Sequence, residues 1–160
     1  MSELKIGDKA PAFTLPTDGN GKISLSDLKG RKAVVYFYPK DDTPGCTSES
    51  CGFNDNLKEF EKLNTAVIGI SKDGVASHDR FKKKYSLKFT LASDEDGKVC
   101  EAYGVWAEKS MYGRKYMGIE RSTFLIDEAG KIEQIWRKVK VTGHVKEVMK
   151  AISDGKKKAA

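Results

Sequence analysis

The sequence predicts an α/β fold in which one central mixed β-sheet is flanked by helices and preceded by an N-terminal β-hairpin. Three observations carry that reading. Ala33–Tyr38 and Ala66–Ile70 are unbroken apolar runs, as expected of strands covered on both faces. Each run is followed by a segment whose apolar residues recur every three or four positions, the spacing of a helix face. Near the C-terminus, Ser122–Ile126 and Ile132–Val139 read as strands joined by the turn Asp127-Glu128-Ala129-Gly130.

The elements follow in order. Pro11-Ala12-Phe13-Thr14-Leu15-Pro16 alternates apolar and polar residues, turns at Asp18-Gly19-Asn20-Gly21 and returns through Lys22–Leu25, which makes the hairpin. Ser26–Gly30 reads as a short helical turn with a glycine stop. After the strand Ala33–Tyr38, a helix is expected from Pro44 to Leu63, with Phe53, Leu57, Phe60 and Leu63 on one face. Ala66–Ile70 is the next strand, Val75–Tyr85 the next helix, Phe89–Ala92 a short strand and Asp96–Tyr103 a further helix. Lys109–Gly118 reads as a loop, and Gly143–Ile152 as a closing helix with Val145, Val148, Met149 and Ile152 inward. Residues 153–160 are expected to form a flexible basic tail. No repeat, linker or low-complexity stretch interrupts the chain, so 1–160 reads as a single domain.

Composition narrows the function. The chain has 39% apolar and 32% charged residues, ordinary for a soluble domain. Its net charge of +6 is spread along the chain. Lys82-Lys83-Lys84 falls between Phe81 and Tyr85, which share a helix face, so these lysines are a solvated side rather than a nucleic-acid surface. Met1–Ala10 is polar and does not read as a secretory signal, and no apolar run approaches membrane-spanning length. Three cysteines are too few and odd in number for a disulfide scaffold, which favours a reducing cytoplasm.

The informative stretch is Pro39-Lys40-Asp41-Asp42-Thr43-Pro44-Gly45-Cys46, with Cys51 five residues on. Pro44 suits the first helical position and Thr43 the N-cap, which sets Cys46 in the first turn. Unpaired backbone N–H groups and the helix dipole favour an anion there, so the thiolate is favoured over the thiol. Gly45 permits close approach of a small substrate. An intact helix would hold the Cα atoms of Cys46 and Cys51 about 8–9 Å apart. A disulfide needs them about 5.5–6 Å apart, so the pair can bond only if the helix unwinds. Thr47, Ser48, Ser50 and Gly52 are poor enough helix formers to permit it.

These residues resemble those of the peroxiredoxins, specifically the bacterioferritin comigratory protein branch, also called the Q type. The resemblance runs over nearly the whole chain. It is carried by Ala10–Leu15, by Tyr36–Lys40 leading to Thr43–Thr47, by Ser93-Asp94-Glu95, by Gly104-Val105-Trp106 and by Gly118–Asp127. It implies a thioredoxin-like fold and a thiol-dependent peroxidase that reduces hydrogen peroxide and organic hydroperoxides. By similarity Cys46 is the peroxidatic cysteine, passing through a sulfenic acid. Cys51 is implied as the resolving cysteine of an intramolecular disulfide. Thr43 is implied to hydrogen-bond the thiolate and the peroxide, Arg121 to stabilise the sulfur and the leaving oxygen, and Pro39 to shield the pocket. No metal or organic cofactor is implied. Thioredoxin is the expected reductant, with glutaredoxin or glutathione as alternatives, and a monomer is the expected state. Gly-Gly-Leu-Gly and a C-terminal Tyr-Phe pair are missing from the sequence, which leads us to expect relative resistance to overoxidation.

Cys100 reads as a small buried apolar residue, with a resolving role as the lesser alternative while Cys51 is present, and His144 as a surface or capping residue near a helix start. Three rivals are weighed against the peroxidase: a general dithiol–disulfide oxidoreductase, which lacks its C-x-x-C; a cysteine hydrolase pairing Cys46 with His144; and a basic binding module resting on charge alone.

Overall fold

β3 (Lys32–Phe37) is the strand on which the rest is laid. It pairs on both edges, parallel to β4 (Thr65–Ser71) with Val35 opposite Ile68, and antiparallel to β8 (Ser122–Ile126) with Val35 opposite Phe124. Its two faces are also both buried, Val35 and Phe37 in one core and Val34 and Tyr36 in the other, which is why its residues read as a continuous apolar run. In this computed structural model, which describes residues 4–159, β3 lies inside a seven-stranded sheet. The spatial order is β2-β1-β5-β4-β3-β8-β9. β1 (Thr14–Thr17) and β2 (Gly21–Ser24) form the expected N-terminal hairpin, and β5 (Thr90–Ser93) continues the parallel run beside β4. β9 (Ile132–Trp136) closes the far edge against β8.

Alternation along β3 divides the core in two. Val35 and Phe37 pack with Tyr103, Val105 and Phe124 on one face. Val34, Tyr36 and Tyr38 face the other side, among Cys46, Phe53, Phe60, Phe81 and Val148. The second face carries the helices α1 (Pro44–Asp55), α2 (Leu57–Lys62), α3 (Val75–Tyr85) and α5 (His144–Ala159). α4 (Lys98–Ala102) contributes Val99 and Cys100 to the first. The mixed sheet flanked by helices is thus the expected thioredoxin-like arrangement. Among the described residues, no helix is long and apolar enough to cross a membrane.

Four expectations change in detail. The helix expected over Pro44–Leu63 is broken at Asn56, whose side-chain amide donates to the Gly52 carbonyl at 2.8 Å. That bond competes with the backbone ladder, and α2 restarts from the Asn56 carbonyl. Phe53 and Phe60 still enter one core, with ring centroids 5.8 Å apart. The expected loop Lys109–Gly118 is instead the body of a hairpin, β6 (Trp106–Met111) and β7 (Arg114–Ile119), outside the main sheet. Its two-residue turn places both Tyr112 (φ 53°) and Gly113 (φ 77°) in the left-handed region, so the usual Asn-Gly signal is absent. α4 begins only at Lys98, because Gly97 before it has φ 77°. Finally, α5 does not stop at Ile152 but continues to Ala159 through the segment expected to be a tail. Alanine and lysine favour helix there, and the Gly155 backbone lies against the Lys32–Glu133 ion pair.

Candidate active site

The site is built where β3 gives way to α1. The chain leaves the sheet at Tyr38, whose N–H donates to the Ile70 carbonyl, and then runs through Pro39–Asp42. Asp42 takes a left-handed φ of 58°, turning the chain so that Thr43 becomes the N-cap and Pro44 opens the helix. Thr47 N–H donates to the Thr43 carbonyl at 2.8 Å, the first intrahelical bond. Cys46 therefore lies in the first turn as expected, and it is 1% exposed.

Arg121 reaches this sulfur from the β7–β8 junction. Its Nη2 donates to Cys46 Sγ at 3.2 Å and its Nη1 to Glu49 Oε1 at 2.7 Å. Burial works against the guanidinium's charge, but Glu49 and Cys46 hold Arg121 protonated, above its ordinary range. Gly45 makes the approach possible: a Cβ there would sit 3.2 Å from Arg121 Nη2. The first turn of α1 and the end of β7 thus present one cation to one sulfur.

Glu49 is the residue that sequence reasoning missed. It lies one helical turn after Cys46, a spacing that puts both on the same side of α1. It is fully buried, and its Oε2 has no hydrogen-bond partner. Burial pushes its carboxyl up to about 7, against the opposing pull of Arg121.

The Thr43 hydroxyl donates to the Lys40 carbonyl at 2.9 Å, and it makes no side-chain capping bond. With its one proton committed, it can only accept a further hydrogen bond. Pro39 is exposed at the start of the loop. Cys51 lies in the same intact helix and is half-buried, and all three cysteines are free thiols. Burial and the nearby Asp55 push the Cys51 thiol up. Cys100 is fully buried, as expected, and burial and Asp94 push its thiol up much further. Of the three sulfurs, only Cys46 has an Arg beside it.

One histidine departs from expectation. His144 begins α5 but is buried rather than on the surface. Its Nε2 pairs with Thr123 Oγ1 at 2.8 Å and its Nδ1 with Glu147 at 3.3 Å, so neither nitrogen serves Cys46. Burial, offset in part by Glu147, pushes His144 down. That arrangement removes the Cys–His hydrolase. His78 is also fully buried, among Tyr38, Asp41 and the Ala92 carbonyl. Among the described residues, no group of three or more His, Cys, Asp or Glu side chains could hold a metal ion.

The sequence profile of the AhpC/TSA family matches residues 6–135. A putative peroxiredoxin Bcp from Coxiella burnetii is 59% identical over 91% of this chain and 97% of its own length. Peroxiredoxin Bcp of Bacillus subtilis is 48% identical over 94% of this chain and 96% of its own. Among solved structures, a PrxQ mutant from Xylella fastidiosa superposes with a TM-score of 0.92 at 42% identity, covering 97% of this chain and 99% of that one. The bacterioferritin comigratory protein of Xanthomonas campestris, solved as trapped intermediate and ligand complexes bearing on alkyl peroxide reduction, superposes with a TM-score of 0.86 at 45% identity. It covers 89% of this chain and 91% of its own.

Proposed function

The chain belongs to the AhpC/TSA family, in its Bcp/peroxiredoxin Q branch, and from that premise we propose how its own residues divide the peroxidase reaction. The observation that carries the assignment is the 3.2 Å contact from Arg121 Nη2 to Cys46 Sγ at the N-terminus of α1. A hydroperoxide enters with its terminal O–H donated to Thr43 Oγ1. The Cys46 thiolate attacks that terminal oxygen, an S–O bond forms and the O–O bond breaks. The departing alkoxide takes a proton and leaves as an alcohol, or as water when the substrate is hydrogen peroxide. Arg121 stabilises the sulfur before the step and the negative oxygen during it. Pro39 narrows the approach from the solvent side.

Cys46 is now a sulfenic acid. α1 unwinds locally, Cys51 gives up its proton and attacks the Cys46 sulfur, and hydroxide departs as water to leave the Cys46–Cys51 disulfide. A thiol reductant returns both sulfurs to the starting state. We assign that part to thioredoxin, with glutaredoxin or glutathione as the alternatives. The alkyl peroxides named for the Xanthomonas relative are accepted here alongside hydrogen peroxide. We assign the work to a monomer, a single domain, in the cytoplasm. The small and odd number of cysteines supports a reducing compartment.

Adding one equivalent of hydrogen peroxide to the reduced protein and counting thiols tests the scheme. Two thiols should disappear, and the new disulfide should map to Cys46 and Cys51. Full peroxide turnover by C46S would overturn it.

A further inference from the structure

Two consecutive aspartates in the active-site loop are held by side chains of α3. Asp42 accepts from Lys84 Nζ at 2.8 Å and from Tyr85 Oη at 2.6 Å. Lys84 is exposed and Asp42 with it, and such surface pairs contribute little. The hold on Asp41 is of another kind, because it is buried. Asp41 Oδ1 accepts from the Tyr38 hydroxyl, and Oδ2 accepts from Ser77 Oγ at 2.8 Å. His78 Nδ1 lies 2.8 Å from the same Oδ2. The Asp41 backbone N–H donates to Asp73 Oδ2 at 2.8 Å.

The second nitrogen of His78 decides its protonation. Nε2 lies 3.0 Å from the Ala92 carbonyl, a group that can only accept, so Nε2 carries a proton. Nδ1 faces a carboxylate oxygen that already accepts from a hydroxyl, so Nδ1 carries one too. Both ring nitrogens protonated means an imidazolium, fully buried against a carboxylate. The groups facing the ring are Tyr38 from β3, Asp41 from the loop, Asp73 from the β4–α3 connection and the Ala92 carbonyl of β5. Burial alone would push His78 down, but its bond to Asp41, Asp41's charge, the Ala92 carbonyl and Asp73 together raise it above its usual value.

We propose that His78 is a positioning residue for peroxide reduction: as a buried imidazolium it locks Asp41, and with it the Pro39–Thr43 loop that sets the N-terminus of α1 and Cys46 against Arg121. The inference rests on the peroxidase reading above, but its lock can be observed without turnover. His78 touches neither sulfur nor peroxide; it acts through Asp41 and the loop. The sign follows from the raised value. The lock is present while the ring is protonated and is lost as pH rises through the folded-state value, because neutral imidazole leaves one nitrogen with nothing to donate.

Two measurements test it. The first is the ¹⁵N spectrum of the histidine rings at pH 7, with H144N assigning the two residues. Both nitrogens of His78 should resonate as protonated; one bare nitrogen would overturn the proposal. The second is the rate constant for hydrogen peroxide against pH, read by stopped-flow fluorescence. The wild type should lose rate on the alkaline side as His78 deprotonates. H78N keeps an amide donor at the Nδ1 position but cannot titrate, so it should retain most of the neutral-pH rate and, in an E49Q background that removes the Glu49 titration, should lack the alkaline fall. H78F, which removes the donor, should lose on the order of tenfold through misplacement of the loop. An alkaline limb that H78N leaves unchanged in that background would overturn the proposal even if H78F fails to fold. A wild type without peroxide turnover would refute the peroxidase reading instead, and the ¹⁵N spectrum would still report on the lock.

Discussion

Glu49 meets Arg121 with one carboxylate oxygen only: Oε1 accepts from Nη1 at 2.7 Å, and the buried Oε2 has no partner. Arg121 therefore stands between two candidate anions, Glu49 and Cys46. When Glu49 is protonated the guanidinium serves the thiolate alone; when Glu49 is ionised the same charge is shared.

This sharing has a pH signature. Burial raises Glu49 to about 7 in the folded protein, above the ordinary carboxylate value of the unfolded chain. Between those two values the folded state binds the extra proton, so the contribution to stability is complete at low pH and is lost as pH rises through about 7. E49Q mimics the protonated form and still accepts from Arg121. Its thermal stability should match wild type near pH 5 and exceed it near pH 8, by on the order of 3 kcal/mol. A stability difference that does not change with pH would show that Glu49 does not titrate in this window.

Arg121 can be tested for its fork rather than its charge. R121K keeps a cation but cannot reach Sγ and Glu49 together in one plane. We expect the rate constant for peroxide to fall by roughly 100-fold in R121K, the scale seen when one donor to a developing anion is removed. R121Q should lose more, since it also strands Glu49. Alkylation of Cys46 by iodoacetamide at neutral pH should slow in parallel.

Gly45 separates activity from stability. Alanine is the better helix former, so G45A should leave the melting temperature unchanged or slightly higher. Its Cβ, however, would stand 3.2 Å from Arg121 Nη2, tight enough that the guanidinium must shift. The expected outcome is about a tenfold loss in peroxide rate constant with no loss of stability. Equal activity in G45A would mean that Arg121 tolerates the displacement.

The sequence was most legible where one physical rule acts alone. Ala33–Tyr38 reads as a covered strand because both faces of β3 are buried, and Thr43-Pro44-Gly45-Cys46 reads as a helix start because capping is local chemistry. The Asn56 break was hidden because the apolar spacing runs through it, while the cause is one side-chain amide taking the Gly52 carbonyl. The β6–β7 hairpin was hidden because Tyr112-Gly113 makes its turn without the usual residues. Glu49 and His78 were missed for a different reason. Their roles depend on partners far along the chain: Arg121 for the first, Asp41 and Ala92 for the second. Spacing marks Glu49 as a neighbour of Cys46 but cannot say that the carboxylate is buried.

The last prediction concerns the helix itself. Cys46 and Cys51 both lie within α1, which is unbroken from Pro44 to Asp55, and helix geometry keeps their Cα atoms about 8–9 Å apart. Forming the disulfide must melt the turn between them, so its rate should depend on how stable that turn is. Ser48 is exposed and sits inside that turn, which allows the helix to be strengthened there without touching the site. S48A should favour the helix by about 0.5 kcal/mol. If the unwound turn is fully paid out in the transition state, the resolving step should slow roughly twofold, with the first step unchanged. The longer-lived sulfenic acid should then be oxidised further at high peroxide, seen as more Cys46 sulfinic acid by mass spectrometry. In the wild type, amide exchange over residues 46–52 should rise on oxidation, because Cys46 and Cys51 are drawn together at the expense of the backbone ladder. An oxidised protein with the α1 amides as protected as before would refute the coupling, and an S48A resolving rate equal to wild type would place the unwinding after the transition state.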